Sequence, residues 1–204
     1  MNKMSLSAYD IKCTNMAFSH QKALSKDDII YYILSGSYST LMPMSLNGIS
    51  VDSIFNTISF FAEKNLNISI ACKEIKVFIV HCNILSSFEE KNCEGFSIKI
   101  DDSYAVVITM LSDVIGVLIH ELCHVLVDTA FTITDTCKTN KLECIVEAVE
   151  YLVIEDYLHN ITDLKHIELL NINKKHNTNN MTKSLICNII ESKNLRKSVE
   201  VVLK

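Results

Sequence analysis

Five residues restrict this chain more than any others: His120-Glu121-Leu122-Cys123-His124, set among Val114, Ile115, Val117, Leu118, Ile119, Val125, Leu126 and Val127. On a helix, side chains four apart share a face and are separated by roughly 6 Å of rise, so two imidazoles at that spacing can converge on one metal ion. Glu121, beside the first histidine, projects next to that ion, where it can take a proton from a metal-activated water. Burying two imidazoles and a carboxylate in so apolar a helix is costly unless partners or a metal satisfy them. The pattern therefore predicts a zinc-binding helix from a cap at Ser112 or Asp113 to about Asp128, with His120 and His124 as ligands and Glu121 as the base.

A catalytic zinc keeps three protein ligands and one open position. Position 130, where a third histidine of the extended metzincin pattern would fall, is Ala130. Asp128 lies a further turn from the ion and is assigned to the helix end. The remaining ligand is expected on the next helix, residues 141–158, which carries Glu143, Glu147 and Glu150 on one face. We place Glu147 first and Glu143 as the alternative third ligand; any of these carboxylates would otherwise belong to a solvated stripe.

Elsewhere, Ser25 and Asp28 have capping-box spacing before a first helix, residues 35–50 read as loop around Pro43, and apolar residues from Val51 to Ala62 recur at helical period. Runs at 75–82, 95–100 and 104–110 are rich in β-branched residues, and the last two predict an antiparallel hairpin about Asp101-Asp102-Ser103. After residue 160 come an Asn-rich connector at 171–180, a helix near 183–192 and an apolar run at 199–203 that fits either helix or strand. The expected organisation is an N-terminal helix and loop (1–50), a catalytic core (51–160) and a C-terminal helical extension (161–204), all in one α+β unit.

Hydrophobic residues make up 49% of the 204 and charged residues 21%, enough apolar material for a real core. A net charge of −5 argues against a nucleic-acid partner. Positive charge is concentrated after residue 170, which suits a solvated surface or, alternatively, contact with an acidic partner. No apolar run reaches the length of a membrane span, and the N-terminus lacks an apolar signal core, so a cytoplasmic location is expected. The eight cysteines, none in a Cys-x-x-Cys pair, are expected to be reduced. Cys123 is expected to pack as a small apolar group. Cys137 and Cys144, flanking the loop between the two site helices, have packing as their default role and a second metal or a redox switch as the alternative.

The stretch Glu147-Ala148-Val149-Glu150-Tyr151-Leu152 resembles the Glu-Ala-Asn-x-Phe-Ala signature of ImmA/IrrE-type peptidases, and Glu147-Ala148 resembles the ligand Glu and following Ala of thermolysin-like enzymes. Together with the His-Glu-x-x-His motif, this similarity, over about residues 75–158, is to gluzincin-type zinc metallopeptidases. The ImmA/IrrE pattern differs in having Gly at Cys123 and Asn at Val149. SprT-like proteases share His-Glu-Leu-Cys-His but need a further histidine, and the next here is His159. The resemblance implies a zincin-like α+β domain with a small antiparallel-type sheet, and a zinc-dependent endopeptidase acting on a protein or peptide substrate. It also implies that strand 104–110 is the edge on which substrate pairs, and that a donor stabilises the oxyanion, for which Tyr151, Tyr157, His159 and His81 are the candidates. The competing expectation is an inactive or regulatory binding protein on the same scaffold, such as a phage, viral or pathogen interaction protein.

Overall fold

The apolar helix bearing the motif, α3 (Val114–Ala130), is apolar nearly all round because it is covered on one side by a sheet and on the other by helices. The structure, a computed structural model, describes residues 12–16, 23–36, 45–46, 49–70, 74–85, 92–110, 113–133, 139–160 and 179–203. Its main sheet has the order β1 (Lys12–Met16), β5 (Ile75–Val80), β9 (Ser103–Thr109), β8 (Gly95–Ile100). The first three strands run parallel and β8 is antiparallel to β9.

Alternation along the central strands builds two cores. Ile75, Val77 and Ile79 of β5, with Tyr104, Val106 and Ile108 of β9, join the cluster that contains α3. Phe78, Val80, Ala105 and Val107 join a second cluster with Ile29 and Ile33 of α1 (Lys26–Leu34). Each fully buried Ile or Leu contributes about 1.5–3 kcal/mol, so the two faces together hold the sheet between α1 and α3. Helices α2 (Val51–Leu66), α4 (Thr139–Asn160), α5 (Asn180–Ser192) and α6 (Leu195–Leu203) add buried residues to the α3 core. Among the described residues, no helix is long and apolar enough to cross a membrane.

Local signals account for the element ends. The amide of Asp28 donates to Ser25 Oγ at 3.1 Å and the Ser25 hydroxyl donates to Asp28 Oδ2 at 2.6 Å, so Ser25 caps α1. Asp113 caps α3 by accepting from the amide of Gly116 at 3.3 Å. The β8–β9 hairpin turns at Asp101, whose φ of 52° is tolerated better by Asp than by most residues.

Two expectations about the sheet are corrected. It is mixed, with three parallel strands, rather than antiparallel in type; parallel pairs lack a tight turn to announce them, and their two-sided burial hides the alternation. The strand at 104–110 is not the edge: β9 is paired on both sides, and β8, folded back by the hairpin, lies outermost among the described strands. The expected loop at 35–50 also contains a short antiparallel pair, β3 (Ser45–Leu46) with β4 (Ile49–Ser50). A second small sheet joins β2 (Ala23–Ser25), β6 (Asn83–Leu85) and β7 (Asn92–Cys93). The run at 199–203 is helical, within α6. Cys137, residues 171–178 of the connector, and the side chains of Tyr157 and His159 lie outside the described residues.

The only arginine in the sequence, Arg196, has a structural task. From α6 it donates to the carbonyl of Leu66 at 3.0 Å and to that of Ala130 at 3.2 Å, the last residues of α2 and α3. A cation is favourable at helix C-termini, where carbonyls lack partners along the helix. Arg196→Ala should lower unfolding free energy by about 2 kcal/mol in denaturant melts, and Arg196→Lys, which lacks the fork, should recover only part of it.

Candidate metal centre

Three side chains from two helices converge where α3 meets α4. His120 Nε2 lies 3.2 Å from His124 Nε2 and 3.5 Å from Glu143 Oε2, and His124 Nε2 lies 3.6 Å from Glu143 Oε1. Their ligand atoms all fall within 4.8 Å of one another. Metal–ligand bonds of about 2.0–2.2 Å in a tetrahedral site set neighbouring donors about 3.3–3.6 Å apart, close to the 3.2 Å between the two imidazole nitrogens, while each imidazole meets a different oxygen of Glu143. Two imidazoles and a carboxylate are also an ordinary donor set for zinc. The side chain of Glu143 is 44% exposed, which leaves the cluster open on one side.

His120 is held from behind by Glu150, whose Oε2 is 2.9 Å from Nδ1. With Nδ1 donating to that carboxylate, the neutral ring would turn its Nε2 lone pair toward a bound cation, a tautomer-fixing arrangement common around metals. In the sequence Glu150 stands on the same face as Glu143 and Glu147, with no role of its own. Its signal was there, seven residues after Glu143 and so only about 20° from it around the helix.

Glu147 takes a different path. It lies about 40° to the other side of Glu143, and its Oε2 accepts from the hydroxyl of Thr182 at 2.6 Å. Thr182 is fully buried at the start of α5, next to the N-cap Asn179. The positive end of the α5 dipole favours a carboxylate there. The structure thus brings together His120, His124 and Glu143, and places Glu147 at a helix junction instead.

Glu121 is buried on the side of α3 that meets the outer strand. A β-carbon at Gly95 of β8 would fall 3.1 Å from Glu121 Cγ, 2.6 Å from Val117 Cγ1 and 2.9 Å from the Val107 carbonyl oxygen. Glycine is what lets strand and helix approach so closely. Burial pushes the Glu121 carboxyl upward, opposed by the charges of His124 and His120, reinforced by Glu143 and opposed again by Lys26. A carboxylate so raised accepts a proton more readily than an exposed one.

Burial alone would lower the His120 imidazole, but hydrogen bonds to Glu143 and Glu150 outweigh it and push its pKa up to about 10. The same hydrogen bonds from His120 and His124 hold Glu143 well below the usual carboxylate range, against its burial. In metal-free protein the His120 contribution to stability is complete below about 6.5 and is lost as pH rises toward about 10. That of Glu143 is present above 4.5 and is lost as pH falls. Denaturant melts of chelator-treated protein should therefore weaken on both sides of an optimum between about pH 4.5 and 6.5, and His120→Gln should flatten the alkaline limb.

Other expected groups fall into place more plainly. Tyr104 Oη donates to Asp128 at 2.5 Å, tying the end of α3 to β9, away from the metal cluster. Cys123 is completely buried and its thiol is pushed well up by burial, so it packs rather than reacts. Buried Cys144 lies beside Asn179 Nδ2 at 3.0 Å. No model of a known protein family, no curated protein and no solved structure matches the chain.

Proposed function

We propose that the protein is a zinc-dependent endopeptidase with a zincin-like catalytic domain of the gluzincin type. The observation that carries this reading is the convergence of His120, His124 and Glu143 at an open site, one residue from the buried Glu121. When bound, the ion supplies Lewis acidity toward a carbonyl oxygen and makes water a nucleophile near neutral pH. Glu121 takes the proton of the attacking water and passes it to the leaving amine. Glu150 keeps His120 turned toward the cluster. The outer strand β8, unpaired on its far side among the described residues, offers main-chain groups on which an extended peptide can pair. Such a strand would pass the Gly95 end of β8, where the β-carbon contact measures how near Glu121 lies.

The test is proteolysis itself. Purified protein, stripped of metal and reloaded with zinc, is incubated with a proteome-derived peptide mixture, and new termini are mapped by mass spectrometry. Zinc-dependent cleavage that chelator abolishes is expected; an unchanged peptide mixture with protein of full zinc content would contradict the reading.

A further inference from the structure

Resting on the peptidase reading, we propose that the substrate strand carries an acidic side chain next to the cleaved bond, received by Lys26 on the sheet face opposite Glu121. Side chains of β8 alternate between the two faces. Gly95 packs against α3 and Lys99 pairs with Asp128 of α3 at 3.7 Å, whereas Phe96, Ile98 and Ile100 belong to the core under α1. A peptide added to β8 alternates in the same way, so half of its side chains face Lys26, Phe96, Ile98 and Ile100.

Lys26 is the first residue of α1, where a cation opposes the helix dipole. Its Nζ lies 5.1 Å from the centroid of the Phe96 ring, and it takes part in none of the ion pairs among the described residues. Phe96 directly follows Gly95, where an added β-carbon would fall 3.1 Å from Glu121 Cγ, so a peptide paired there would have Glu121 on one face and the cation on the other. With no ion pair to Lys26 among the described residues, an acidic side chain of the substrate would find an available cation there. Two residues along the peptide, the same face meets Ile98 and favours an apolar side chain.

The peptide-mixture assay tests this when parent, Lys26→Glu and Lys26→Arg are profiled side by side. For the parent, Asp and Glu should be enriched at one fixed position beside the cleaved bond, with an apolar residue two positions away. Lys26→Glu should cut the acidic-over-basic preference there by about fivefold or more, while Lys26→Arg keeps it. Thermal melts of the three proteins establish that each is folded. Cleavage with no acidic preference, or with one that Lys26→Glu leaves unchanged, would overturn the inference and spare the peptidase reading. Absence of any cleavage by the zinc-loaded parent would overturn both.

Discussion

Glu121→Gln should keep its zinc and its fold while losing turnover by a factor on the order of 10²–10⁴. The amide fills the same space against Gly95 and Val117, so the approach of β8 to α3 is preserved. It cannot take a proton from water. Because the parent carboxylate is buried and pushed upward by that burial, the neutral amide should leave the melting temperature equal or higher. Equal stability with lost activity separates a proton carrier from a residue that merely packs. A variant that cleaves the peptide mixture as fast as the parent would remove Glu121 from the chemistry.

The second large effect distinguishes two glutamates one turn apart. Glu143→Ala should weaken zinc binding about a hundredfold or more in calorimetric titration, since it deletes a donor that faces both imidazoles. Glu147→Ala should leave zinc affinity unchanged and instead cost about 1 kcal/mol of stability, because the buried Thr182 hydroxyl loses its 2.6 Å acceptor and keeps only the longer bond to Asn179 Oδ1 at 3.2 Å. The reverse pattern, with zinc lost in Glu147→Ala and retained in Glu143→Ala, would assign the third donor to the wrong turn.

Local chemistry explains what could be read from the residues. The caps at Ser25 and Asp113, the hairpin at Asp101 and the period of α2 depend on neighbours within a few positions, and these elements are where the sequence puts them. So do His120 and His124, whose meeting needs only one turn of helix. The parallel pairing of β1 with β5 and of β5 with β9 depends on contacts far apart in the chain and leaves no local mark. Choosing among Glu143, Glu147 and Glu150 required knowing how α4 is rotated against α3 and that α5 arrives on the side of Glu147. The likeness of Glu147-Ala148 to a ligand Glu followed by Ala carries no information about that rotation, since Ala148 is simply buried in the helical core. The loss of the edge from β9 to β8 has the same origin: a hairpin predicts a pair of strands, not which of them ends the sheet.

Anomalous diffraction at the zinc edge from crystals of the zinc-loaded protein tests the central claim most directly. One peak is expected about 2.0–2.2 Å from a ring nitrogen of His120, a ring nitrogen of His124 and a carboxylate oxygen of Glu143, with a fourth position free of protein. A peak held by Glu147 in place of Glu143, a fourth protein ligand closing the site, or no peak at this cluster would contradict a catalytic zinc centre built on α3 and α4.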